Sequence, residues 1–199
     1  RELIIGGKHM VFVNVSSPPN AWDLERGKRS GDFETFKEFM KLTQYFNCIH
    51  IAGGYPVEPV DIHASVRHLD CLSDMVKLTD KVFHCYSLGK QRNLDAIEIA
   101  RIGRGISMEQ MENEPSLFTI INSSSPLRLD GPMLQGIIEM SSRGQVVVMT
   151  PFTLAGAMAP VTIAGALVQQ NAEALCGIAF TQMVRKGAPV IYGGFTSNV

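Results

Sequence analysis

Residues 145–198, QVVVMTPFTLAGAMAPVTIAGALVQQNAEALCGIAFTQMVRKGAPVIYGGFTSN, decide the fold class. Val146-Val147-Val148-Met149 is a short apolar, β-branched run of the kind that fills a strand buried on both faces. Thr150-Pro151-Phe152 breaks it, and Pro160 suits the first turn of a long helix, where a missing N–H costs nothing. Arg185-Lys186 place two cations at the negative end of that helix, and Gly187 is positioned to cap it. Pro189-Val190-Ile191-Tyr192 begins a second strand, and Gly193–Asn198 leaves it. Two buried strands joined through a helix make a parallel βαβ unit.

Outward from this unit the same rhythm recurs. Strands are expected to start near residues 11, 48, 82, 117, 146 and 189, spaced 29 to 43 residues apart. Helices are expected over residues 33–46 behind the N-cap Asp32, over 64–78, over 94–102 behind Asn93, and around 133–140 ending at Gly144. Consecutive β/α units fit an open doubly wound sheet or part of an eight-stranded β/α barrel. Every predicted strand ends in a Ser/Gly/Pro/Asn/Thr-rich loop, while the returns from helix to strand are plainer. That distribution favours a TIM-type (β/α)8 barrel, of which residues 1–199 supply about six consecutive units as one domain. The chain starts without Met and stops in a strand-end loop, so a piece of a longer barrel is expected.

Composition narrows the function. The 18 basic and 19 acidic residues nearly cancel, which gives no electrostatic basis for binding nucleic acid or an anionic membrane. The most apolar segment, Val161–Val184, carries Gln169, Gln170, Asn171 and Glu173 in its middle, against a membrane span. Cys48, Cys71, Cys85 and Cys176 form no CxxC pair, each sits in an apolar or helical context, and they read as buried free thiols of a reducing, cytoplasmic compartment. The five histidines show no metal-ligand spacing, and no P-loop or G-x-S-x-G elbow occurs, so neither a metal nor a catalytic group is assigned.

The predicted strand ends offer neutral chemistry instead. Asn122 and Ser123-Ser124-Ser125 supply hydrogen bonds, while Tyr86, Phe152, Tyr192 and Phe195 supply rings. Glu58 is the acidic strand-end residue. A mouth of rings and hydroxyls suits a cation with no protons to donate, because ring faces attract quaternary ammonium electrostatically. The same residues could equally be packing rings and turn-forming loops.

PVTIAGALVQQNAEALCGIAFTQMVRKGAPVIYGGFTSNV (160–199), GYPVEPVDIHASVRHLD (54–70), INSSSPLRLD (121–130) and DLERGKRSGDFETFKEFMKL (23–42) closely resemble the trimethylamine methyltransferase family. The resemblance covers nearly the whole chain. It implies a larger β/α barrel that moves a methyl group from trimethylamine or a betaine-like quaternary amine to the cobalt of a separate corrinoid protein. The implied cofactor is therefore a corrinoid carried by that partner, with none held tightly by this chain, and a homo-oligomer is expected. Some members carry pyrrolysine at a position expected beyond Val199. Asn122, in the family's N-x-x-SPL-like loop, is the best carried-over site residue; Tyr192 and Phe195 match its Y-G-x-F segment. Other barrel chemistry and a non-catalytic amine-binding subunit stand as alternatives.

Overall fold

The computed structural model describes residues 2–198, which form two compact units: residues 2–84 with 98–105, and residues 85–97 with 106–198. In chain order the first holds the hairpin β1 (Asn20–Asp23) and β2 (Gly27–Ser30), α1 (Phe33–Tyr45), β3 (Ile51–Ala52), α2 (Arg67–Leu78) and most of β4 (Val82–Cys85). Helix α3 (Lys90–Arg104) has residues in both units. The second unit holds α4 (Met108–Asn113), β5 (Leu117–Ile121), α5 (Gly131–Ser142), β6 (Val146–Met149), β7 (Phe152–Ala155), α6 (Ile163–Val184), β8 (Val190–Tyr192) and β9 (Phe195–Asn198).

In the first unit, α1 starts where the sequence predicts. Asp32 has extended backbone, and its carboxylate accepts from the Thr35 N–H at 2.7 Å, satisfying one of the orphan donors of the first turn. Phe36 and Met40 of α1 and Cys71, Leu72 and Met75 of α2 are buried, and Tyr55 meets Phe36 edge-on at 5.8 Å. Lys81 is buried with its ammonium on the carbonyls of Thr43 and Phe46, where the last turn of α1 leaves acceptors unpaired. The β1–β2 hairpin is held at its turn by Asp23, which accepts from the N–H groups of Glu25 and Arg26, with Gly27 at φ +65° closing the corner. The Arg26 backbone bond first, then the Arg29 and Arg26 guanidiniums, hold the Asp23 carboxyl down to about 2.

In the first unit β3 pairs in parallel with β4, and in the second the parallel strands lie in the order β5-β6-β8. Within the second unit the register aligns Ile121, Met149 and Tyr192 at the strand ends. Just past them, Thr150-Pro151 and Gly193-Gly194 interrupt the ladder. The chain then resumes as the separate parallel pair β7–β9, with Phe152 opposite Phe195. At that break the amide end of the Gln170 side chain lies against Gly194, where a Cβ would push it aside. Gly177 of α6 likewise admits the Met149 side chain against the helix backbone.

Several expectations are corrected. Residues 11–15 form no strand: Val13 makes one parallel bridge to Ile51, while Met10, Phe12, Val13 and Val15 stay exposed with no layer over them. The apolar run is there, but burial makes a strand of it, and here burial is missing. Asn93 does not cap α3. The helix begins at Lys90, and fully buried Asn93 donates to the Gly89 carbonyl at 2.7 Å and to Ser87 Oγ. Helix α6 is capped by Thr162 rather than started by Pro160, and it ends at Val184, with Gln182 Oε1 accepting from the Gly187 N–H. The β1–β2 hairpin, the β7–β9 pair and α4, with its Ser107/Gln110 capping box, were not expected. The described residues form a mixed α/β fold around a parallel sheet. None of their helices is long and apolar enough to cross a membrane.

Candidate functional site

The loop after β5 is built around one carboxylate. Strand β5 is apolar except for Thr119, which is fully buried and donates through Oγ1 to the Cys85 carbonyl at 2.8 Å. Beyond Ile121 the chain turns sharply, with a cis Ser125–Pro126 bond and Leu127 at φ +54°. Helix α6 then presents Glu173, 4% exposed, to the inside of that turn. Ser123 Oγ and Ser125 Oγ both donate to Glu173 Oε2, the latter at 2.6 Å. Leu127 N–H and Gln169 Nε2 donate to Oε1 at 2.7 and 2.9 Å. Burial pushes the Glu173 carboxyl upward, but the four donors together outweigh it and hold the group below its ordinary value. It is an anion at neutral pH, compensated by neutral donors.

A recess of about 390 Å³ opens beside this loop, lined by Ser123, Ser124, Ser125, Pro126, Arg128, Phe152 and Met158. Its size lies at the small end of ligand pockets, roughly 300–1,000 Å³. Phe152 lies flat on Phe195, ring centres 4.6 Å apart and planes 9° apart, a consequence of the β7–β9 register. Met158 is tied to the same network, since Gln169 Nε2 donates to its carbonyl at 2.8 Å as well as to Glu173. The walls thus combine hydroxyls, a ring, a thioether and one guanidinium.

Of the residues singled out from the sequence, Phe152 lines this recess. Phe195 backs it through the ring stack and is itself half exposed. Asn122 is exposed, and its Oδ1 accepts from Thr150 Oγ1 at 2.8 Å, across the gap between the ends of β5 and β6. Tyr192 is 49% exposed and donates to Asn171 Oδ1 of α6 at 3.3 Å. Neither of these two lies in the recess wall. Tyr86 follows the end of β4, half-buried. Glu58 is in the first unit, in a 2.5 Å ion pair with Arg67, whose guanidinium also donates to the Ile62 carbonyl. Of Asn122, Phe152 and Tyr192, it is Phe152 that stands in the wall of this recess, beside the serines and Arg128. Glu173 and Arg128 were missed as site residues. A lone glutamate in an apolar helix was the available signal for Glu173. Among the described residues no three His, Cys, Asp or Glu side chains gather as metal ligands. All four cysteines are free thiols, but Cys48 and Cys176 are exposed, against the expected burial, while burial pushes Cys71 and Cys85 up to about 12.

The family profile described as Trimethylamine methyltransferase (MTTB) matches residues 1–199. The chain belongs to this family. Glycine betaine methyltransferase of Desulfitobacterium hafniense is 36% identical over 192 residues, 96% of this chain and 40% of the relative. Trimethylamine methyltransferase from another strain of that species is 25% identical over 98% of this chain and 39% of its own length. Proline betaine:corrinoid methyltransferase of Eubacterium limosum is 31% identical over 53% of this chain and 21% of its own. The chain thus spans about two-fifths of the length of the first two relatives.

Proposed function

We propose that this chain is part of a methyltransferase that takes a methyl group from trimethylamine or a betaine-like quaternary amine. The acceptor is the cobalt of a separate corrinoid protein, a substrate in this reaction rather than a resident cofactor. The carrying observation is the recess itself. Ser123 and Ser125 each have one hydroxyl proton, and both point it at Glu173, so their oxygen lone pairs are left for the recess. Beside them stands the Phe152 ring. Acceptor oxygens and a ring face attract a cation that offers no N–H. The names of the relatives support the same reading, as does the run of parallel strands in sequence order for a β/α barrel beneath it.

The chemistry asks little of such residues beyond placement. The methyl carbon is attacked in line by reduced cobalt, which supplies the electron pair of the new bond. The C–N bond breaks with its pair on nitrogen, and a neutral tertiary amine departs from a quaternary substrate without a proton. Phe152 and the serine oxygens hold the ammonium with one methyl directed outward, and Met158 and Pro126 keep water from the other methyls. Orientation and exclusion of water are the contributions such a site makes. The test is methyl transfer to reduced cobalamin by the full-length protein, over a panel of quaternary amines and trimethylamine. Formation of methylcobalamin from at least one of them is expected. No transfer from any, with the corrinoid partner supplied, would sink the reading and leave an amine-binding subunit.

A further inference from the structure

We propose that Arg128 is the anchor for a substrate carboxylate, so that this recess selects zwitterionic quaternary amines over simple quaternary cations; this rests on the amine-binding reading above. Three observations carry it. Arg128 is in the recess wall that also contains Phe152 and the serines. It is exposed to the solvent side of the wall, within reach of an entering ligand. Its backbone is fixed, since the Arg128 carbonyl accepts from the Ser124 N–H at 2.7 Å, tying the arginine to the loop that Glu173 organises.

The electrostatics follow from that arrangement. The recess presents acceptor oxygens and a ring on one side, both favourable to positive charge, and a fixed cation on another. A simple tetraalkylammonium gains the first and is repelled by the second. A quaternary amine that carries a carboxylate satisfies both, with its ammonium on the ring and oxygens and its carboxylate on the planar guanidinium fork. Asn122, expected from the sequence to take the carboxylate through its N–H donors, lies outside the wall of this recess.

The experiment is calorimetric titration of the full-length protein with glycine betaine and with tetramethylammonium, on wild type, Arg128→Gln and Arg128→Lys, followed by methyl-transfer kinetics on the same set. Arg128→Gln should weaken glycine betaine about tenfold or more, the loss of one charge-assisted contact. It should leave tetramethylammonium unchanged or bound more tightly, and raise KM for glycine betaine with kcat nearly kept. Arg128→Lys should recover part of the affinity, as a point charge without the fork. Thermal melting checks that the variants fold. Unchanged glycine betaine affinity, an equal loss for both probes, or no wild-type preference for glycine betaine would each overturn the anchor. Arg128-dependent binding of glycine betaine with no methyl transfer by the wild type would keep the anchor and reject the methyltransferase reading.

Discussion

Glu173 holds four donors drawn from three places: the two serines, the Leu127 backbone and Gln169 one turn earlier on its own helix. Glu173→Gln keeps the size but brings an amide NH2 where an acceptor is needed, so donors are left facing donors. The expected cost is about 2 kcal/mol or more, read from urea unfolding. The sign with pH follows from the lowered carboxyl. Its contribution is fully present above the ordinary glutamate pKa and is lost as pH falls through the lower folded-state value. The variant should lack that acid-side loss, and equal stability of the two proteins at neutral pH would contradict the role. Phe152 makes a separate prediction. Phe152→Leu roughly keeps volume and removes the ring face, so KM for quaternary amines should rise several-fold, with urea stability changed by less than about 1.5 kcal/mol. An unchanged KM would make Phe152 a packing residue only.

Helix α5 shows how closely the elements of the second unit pack. A Cβ on Gly136 would overlap Ser87 Oγ and stand 2.8 Å from Ser87 Cβ. Ser87 is buried and accepts from Asn93, so it has little room to withdraw. Gly136→Ala should therefore destabilise by about 1–3 kcal/mol despite the better helix propensity of alanine, as chemical denaturation would register. The elements legible in the sequence were those written in local chemistry. Asp32 followed by an apolar stripe specifies α1, and the Val146–Met149 run specifies β6, each from a few adjacent residues. The β7–β9 pair was hidden because Phe152–Ala155 follows Pro151 and finds its partner only at Phe195–Asn198. Glu173 was hidden for the same reason, its loop donors standing 46 to 50 positions away. The serine loop could be read as hydrogen-bonding, but its partner on α6 could not.

For the molecule as a whole, pH acts through the buried His84 as well. Burial is the larger influence and lowers its pKa to about 4, against a smaller opposing contribution from a hydrogen bond with the Gly53 backbone. His84 is thus neutral when folded at any pH above about 4, while the unfolded chain takes up a proton near the ordinary value of 6.5. Between those values the unfolded state binds more protons, so stability falls as pH is lowered from 6.5 toward 4. The full effect is about 3 kcal/mol for a group so displaced. It differs in window from the Glu173 contribution, which begins to fall only below the ordinary glutamate value of 4.5, as the unfolded chain takes up that proton. Urea unfolding at half-unit pH steps on wild type and His84→Gln separates them. The wild type should lose stability from pH 6.5 downward, and the variant, with nothing to titrate at that position, should run nearly flat until the carboxylates begin to protonate. Parallel curves across this window would mean that His84 takes up its proton in the folded protein as readily as in the unfolded chain.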